Sequence, residues 1–233
     1  MDKDRRDFLL NSARAGALAL GSTTLWQIAP AMGQSSKGRE LATMTIVELL
    51  RLLAGQKITS RQLVEQSLAA INDPQGEGSR AFLLVHEREA LAAADRVDAQ
   101  RRCGASMPAL AGIPISIKDL FDEAGVVTLG GSIALVGTPP ATRDSTVVER
   151  LKKAGAIIVG RTVRIPAALN GLVGFKPTAG RVPRDRVLPL SFTLDSIGPI
   201  AKTVADCALL DEILAAEGRP ARARGRRRTR RAG

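Results

Sequence analysis

Apolar and polar positions alternate along this chain with two different periods, and the change from one to the other divides it. Thr45-Ile-Val-Glu48 has the spacing of a capping box and leads into VELLRLLAG, which predicts a helix ended by Gly55. Thr59-Ser60-Arg61-Gln62 opens a second helix with Leu63, Val64, Leu68 and Ile71 on one face, stopped by Asn72-Asp73-Pro74. A third helix is expected over residues 87–102, where Leu91, Ala94 and Val97 recur at helical spacing. The period then drops to two. Ile113-Pro-Ile-Ser-Ile-Lys118 alternates as a strand does. Residues 145–154 return to a helical pattern, and Ala156 to Gly160 form a short, wholly apolar run of the kind buried on both faces of a sheet. Gly171 to Phe175 suggest one more strand, and Thr203 to Ala215 a last amphipathic helix. A helix followed by an all-apolar strand predicts an α/β layer, preceded by a helical N-terminal part. There is no internal repeat.

Composition changes this picture little. Apolar residues make up 45% of the 233, a globular proportion, while aromatics are only 3% and Tyr is absent, so the core rests on Ala, Leu, Ile and Val. The net charge of +11 suggests a nucleic-acid partner until it is located. Gly218 to Gly233 hold eight arginines and no acid, leaving +3 for the rest of the chain. That run, RPARARGRRRTRRAG, lacks apolar periodicity and interleaved aromatics; it reads as a disordered tail with no specific nucleic-acid partner.

The N-terminus reads MDKDRRDFLLNSARAGALALGSTTLWQIAPAMGQ. Paired Arg5 and Arg6 precede a weakly apolar stretch rich in Gly, Ser and Thr, followed by Ala29-Pro30-Ala31 as a small-x-small cleavage site. This resembles a twin-arginine export signal over residues 1–33, although Asp4 stands where that pattern usually has Ser or Thr, and it implies a periplasmic or exported protein. The stretch is too polar for a membrane helix, so no integral membrane segment is expected. Cys103 and Cys207 have no spacing that specifies a disulfide. No metal site or cofactor motif is readable, and the one histidine, His86, reads as a surface or helix-entry residue.

Several motifs in a fixed order carry a family resemblance. Leu110-Ala-Gly-Ile-Pro-Ile-Ser-Ile-Lys118-Asp-Leu-Phe is followed by Thr128-Leu-Gly-Gly-Ser132, Asp144-Ser-Thr-Val-Val-Glu149 and Ala154-Gly-Ala-Ile-Ile-Val-Gly-Arg-Thr162. Arg164-Ile-Pro-Ala-Ala168, Gly171-Leu-Val-Gly-Phe-Lys-Pro-Thr178, Asp195-Ser-Ile-Gly-Pro-Ile-Ala201 and Thr203-Val-Ala-Asp206 complete the series. From about Ala42 to Ala216 the chain resembles the amidase signature family. The resemblance implies a mixed sheet covered by helices and hydrolysis of small carboxylic amides to an acid and ammonia or an amine. Its machinery is a Ser–Ser–Lys arrangement: a neutral lysine deprotonates a bridging serine, which activates a nucleophilic serine beside an oxyanion loop. Lys118 matches the family lysine, and a lysine on an apolar strand suits a base whose pKa must fall by desolvation.

The serines do not match. The Gly-Gly-Ser-Ser-Ser-Gly and Asp-Thr-Gly-Gly-Ser stretches of the family are absent, and Thr162 runs straight into Val163-Arg164-Ile165-Pro166. An internal deletion of several dozen residues at about 162/163 is therefore expected. The organisation becomes an export signal (1–33), a truncated amidase domain (34–217) and an Arg-rich tail (218–233), with apolar edges left exposed and a catalytically incomplete chain. Ser116, sharing the strand face of Lys118, and Ser132, in a Gly-Gly-Ser stretch, are the two substitutes that would allow a weak residual hydrolase. Ser191 and Ser196 lie in the later motif with no Gly-rich donor loop beside them. The remaining alternative is a non-catalytic protein whose basic tail binds nucleic acid or an anionic surface. An export signal would also separate this chain from cytosolic tRNA, which disfavours the tRNA-dependent amidotransferase branch.

Overall fold

Capping chemistry sets the first two helices. In α1 (Ile46–Ala54), the Thr45 hydroxyl accepts from Glu48 N at 3.2 Å and the Glu48 carboxylate accepts from Thr45 N at 2.8 Å. In α2 (Ser60–Ile71), Thr59 and Gln62 make the same reciprocal pair. The structure is a computed structural model and describes residues 41–162, 167 and 170–216, all within one compact unit, Lys37–Gly233. The expected export signal, the Arg-rich tail and Val163 to Pro166 lie outside the described residues.

After α2 come a single helical turn, α3 (Gly78–Ala81), the strand β1 (Phe82–Val85) and α4 (Glu87–Arg102), the last with the expected limits. Then follow β2 (Pro114–Lys118), α5 (Thr146–Lys153), β3 (Ile157–Thr162), the two-residue strands β4 (Val173–Gly174) and β5 (Ile200–Ala201), and α6 (Val204–Ala215). The main sheet has the order β1-β3-β2, with β1 antiparallel and β2 parallel to β3; β4 and β5 pair separately and antiparallel. This is the expected mixed sheet covered by helices.

Three details differ from the sequence reading. β1 had no sequence signal, because FLLV is a uniform apolar run without alternation, too short to separate strand from helix. It places a strand inside the part expected to be helical. β3 runs two residues past Gly160, carrying a polar Arg161 that the apolar pattern excluded. The strand expected at Gly171 to Phe175 shrinks to two residues, since its partner β5 is equally short.

β3 is the centre of the packing. Ile157 and Val159 point into a core formed with Val64, Leu68 and Ile71 of α2 and Ala90 and Ala94 of α4. Ile158 points the other way, into a larger core with Ile117, Leu49 and Leu53 of α1, Val147, Val148 and Leu151 of α5, and Leu210 and Leu214 of α6. Both faces of the apolar strand are thus covered. The register slips opposite both neighbours of β3, between Phe82 and Leu84 on β1 and between Ile115 and Ser116 on β2. Gly160 makes the crowding tolerable, because a Cβ there would lie 2.5 Å from the Leu84 carbonyl and 2.9 Å from the Phe82 ring.

Buried carboxylates tie the helices together. Asp98 of α4 accepts from Ser60 N (2.8 Å) and Arg61 N (3.0 Å), satisfying donors at the start of α2. Arg101 holds Asp98 in place at 3.0 Å and reaches the Ala111 carbonyl at 2.8 Å. Asp206 of α6 does the same for α1, accepting from Ile46 N at 2.9 Å. Large apolar side chains remain exposed elsewhere: Leu190, Phe192 and Leu194 are 72%, 82% and 81% accessible.

Candidate active site

Lys118 is the last residue of β2, and its register partner is Thr162, the last residue of β3. The backbone continues the pairing one step further, with Asp119 N donating to the Thr162 carbonyl at 2.9 Å. Parallel strands present their ligand sites at their carboxyl ends, and Lys118 stands at that end of the sheet. The side chain is half-buried between two cavities. One, of 600 Å³, is shared with Leu190, Phe192, Asp195 and Ser196; the other, of 290 Å³, with Ser116, Leu172 and Ile200. Burial pushes the Lys118 ammonium below the ordinary lysine pKa, which raises its neutral, proton-accepting fraction. Among the described residues the ammonium has no hydrogen bond and no ion pair.

What fixes Lys118 is the residue beside it. The Asp119 carboxylate, almost wholly buried, accepts from Arg161 Nε at 2.9 Å and from Gly131 N at 3.0 Å, while its carbonyl accepts from Gly130 N at 2.8 Å. Arg161 is 1% exposed and also donates to the Phe121 carbonyl at 2.8 Å. Gly130 and Gly131 both take positive φ, +60° and +71°, and a Cβ on Gly130 would meet the Leu188 side chain at 2.4 Å. The Gly-Gly turn is thus a brace for the lysine strand.

Two of the candidate serines, Ser116 and Ser196, share a cavity with Lys118, and two, Ser132 and Ser191, do not. Ser116 is exposed on β2. Ser132 follows the brace, and its hydroxyl accepts from Ala134 N at 3.2 Å, capping a short 3-10 turn over Ile133–Leu135. Ser191 Oγ accepts from Leu194 N at 3.2 Å inside its own loop. Ser196 lines the 600 Å³ cavity with Lys118. Among the described residues no serine hydroxyl hydrogen-bonds the Lys118 amine.

His86 enters α4 as expected, but it is not a surface residue. Its side chain is 13% exposed and its Nε2 lies 3.0 Å from Glu123 Oε2. Glu123 also faces Lys152 at 3.5 Å and Arg161 at 3.7 Å. Burial alone raises the Glu123 pKa; the His86 hydrogen bond, with the charges of His86, Lys152 and Arg161, outweighs burial and holds it below the ordinary glutamate value. Asp119, Glu123 and Arg161 received no role from the sequence. Their signal was there, as charged residues within or just beyond otherwise apolar strands, but it names no partner. Both cysteines are free, Cys103 exposed and Cys207 buried, and no metal-holding cluster of His, Cys, Asp or Glu occurs among the described residues.

Known proteins resemble this arrangement. The amidase family profile matches residues 62–164 and 162–223, two stretches that meet at 162–164. The chain is 34% identical to one subunit of the glutamyl-tRNA(Gln) amidotransferase of Myxococcus xanthus, covering 76% of this chain and 47% of that protein. It is 32% identical to the mandelamide hydrolase of Pseudomonas putida, covering 73% and 45%. The former alignment runs over 234 positions, whereas 76% of 233 residues is about 177, so about 57 of its positions fall opposite no residue here. Among solved structures, the native peptide amidase of Stenotrophomonas maltophilia superposes with a TM-score of 0.67 at 28% identity, over 78% of this chain and 51% of that one. The chain spans about half the length of the curated relatives it matches. With the profile matched from residue 62 to residue 223 and the fold of a solved amidase, the chain belongs to the amidase family.

Proposed function

We infer that this chain is an amidase-family hydrolase by descent that keeps the family lysine as Lys118 and has lost the serines it serves, so that it does not turn over amides. The observation that carries this is the Lys118–Thr162 pair: the two family stretches meet at the residue registered opposite the lysine. About 57 relative positions without a counterpart are of the size expected for the internal deletion, and the two matched stretches meeting at 162–164 favour the 162/163 join as its place. The depressed pKa of Lys118 fits a retained base, and the lack among the described residues of a hydrogen bond from Ser116 or Ser132 to Lys118 fits a lost relay. Amide class is left open, because the mandelamide hydrolase and the tRNA-dependent amidotransferase match this chain at similar identity. In this reading residues 1–33 direct twin-arginine export, 34–217 are the truncated domain and 218–233 an Arg-rich tail; fractionation with and without an Arg5→Lys, Arg6→Lys change tests the export step. No described helix is long and apolar enough to cross a membrane.

The test of activity is hydrolysis of simple aryl and aliphatic amides by the purified chain, with Lys118→Ala as control. Release of ammonia or amine no faster in the chain than in the variant is expected. Turnover abolished by Lys118→Ala overturns the inactive reading, and Ser116→Ala and Ser132→Ala then identify the nucleophile.

A further inference from the structure

Of the described lysines, Lys57, Lys152, Lys153, Lys176 and Lys202 are exposed, and Lys118 alone is not. Lys152 is also paired, with Asp144 at 2.9 Å and Glu123 at 3.5 Å, and Lys202 donates to the Met44 carbonyl at 2.8 Å. Lys118 is half-buried yet has no hydrogen bond or ion pair among the described residues. Burial favours its neutral form, and a neutral, untethered amine is a nucleophile as well as a base.

The surroundings leave that amine unrivalled. The 600 Å³ cavity at Lys118 has the size of a small-molecule site, about 300–1,000 Å³. Leu120, Phe121, Val187 and Leu188 give it apolar lining. Its other two charged residues are engaged by the backbone of their own segment. Asp195 Oδ2 accepts from Leu190 N (2.8 Å) and Ser191 N (3.0 Å), and Arg184 Nη1 donates to the carbonyls of Asp195 (3.0 Å) and Phe192 (3.3 Å). Ser196 brings a neutral hydroxyl. Below the amine, the bonds of Asp119 to Arg161 and Gly131 hold the strand end still. The lysine is thus presented from a braced backbone by a side chain that nothing described ties down.

A free amine among apolar side chains selects a carbonyl electrophile. An aldehyde suits it, because addition needs neither a leaving group nor a second hydroxyl. An apolar substituent on that aldehyde matches the lining.

We propose that the Lys118 cavity is a site for an apolar aldehyde, held as an imine on the Lys118 amine. The nitrogen lone pair attacks the carbonyl carbon, a C–N bond forms, and an amine proton passes to the carbonyl oxygen to give a carbinolamine. That hydroxyl leaves with the remaining N–H proton as water, and the C=N bond closes. One aldehyde and one amine give one imine and one water, with nothing oxidised or reduced. The site rests on the reading that Lys118 has no serine left to serve, since a working relay would hold its lone pair on a hydroxyl.

The probe is benzaldehyde, incubated with the full chain near neutral pH. Sodium cyanoborohydride reduces any imine to a stable benzylamine, and peptide mass spectrometry reads which lysines carry the benzyl group. Benzylation of Lys118 about tenfold or more faster than that of Lys57 and Lys153 is expected, the advantage of burying one phenyl ring. Glycolaldehyde has no ring to bury and should lose most of this preference. So should benzaldehyde with Phe192→Ala, a change at an 82% exposed side chain of the lining, while the variant keeps the parent's circular dichroism spectrum. Lys118→Arg keeps the charge and should abolish the site without altering the labelling of Lys57 and Lys153. Equal rates at the three lysines, or a preference indifferent to either change, overturns the proposal. Amide turnover that depends on Lys118 would instead overturn only the inactive reading, because labelling and turnover are read separately.

Discussion

Lys118 and Thr162 are register partners at the carboxyl ends of β2 and β3, so the candidate base and the join between the two family stretches occupy one place in the fold. The lysine is held there by its neighbour, because Asp119 rather than Lys118 carries the bonds to Arg161 and Gly131. Holding and chemistry are thus separate properties of adjacent residues, and variants separate them.

Asp119→Ala leaves Arg161 buried with its partner gone. Breaking a buried pair from one side costs about 3–5 kcal/mol, whereas Lys118→Ala removes a half-buried amine with no partner among the described residues and is expected to change stability by less than about 1 kcal/mol. Urea denaturation of the two variants measures the contrast; equal losses would show that Asp119 does not hold this end of the sheet.

Burial lowers the pKa of Lys118, and also that of Lys202, where Asp206 and Glu48 partly oppose it. Their acylation rates should therefore reach half-maximum at a lower pH than the ordinary lysine value of about 10.4. Competitive labelling with mass spectrometry reads this directly, and a Lys118 midpoint at or above the ordinary value contradicts the burial argument.

Glu123 gives the chain a pH-dependent stability. Its folded pKa lies below the unfolded value of about 4.3, so the unfolded state binds the proton more readily. The contribution is present above that pH and is lost as pH falls through the lower folded value. Glu123→Gln should flatten the decline in unfolding free energy below about pH 5; an unchanged slope would mean that the His86 contact does not stabilise the carboxylate.

Gly160→Ala places a methyl group against the Leu84 backbone, which cannot move without breaking the sheet. A loss of about 3 kcal/mol or more, or failure to accumulate soluble protein, is expected. Gly125→Ala also forces an unfavourable positive φ, here +83°, but its Cβ meets nothing within 4 Å, so the cost is limited to about 1–2 kcal/mol. Comparing the thermal midpoints of the two isolates crowding from backbone strain.

Much of this was legible in the sequence where the determining contacts are local. Thr45 with Glu48, Thr59 with Gln62, and Thr203 at the head of α6 mark their helices because cap and partner lie three residues apart. The apolar run in β3 announced a strand covered on both faces, and the IPISIKD motif placed Lys118 at a strand end. The Asp119–Arg161 pair was not legible, since its members are 42 residues apart and a charge at the end of an apolar strand names no partner. β1 escaped because its strand character comes from pairing with β3, not from its own four residues. The opposite outcome held for Gly130 and Gly131: a sequence that imitates a catalytic loop supplies two N–H groups to a buried aspartate.

The bond from Ile46 N to Asp206 spans 160 residues of chain. At a synthesis rate of about 5–20 residues per second, the start of α1 waits about 8–32 s for the carboxylate that caps it. During that interval α1 has its own Thr45–Glu48 box but not the buried partner from α6. The first of the described helices to leave the ribosome is therefore among the last of them to be finished, and its exposed apolar face is an early opportunity for a chaperone.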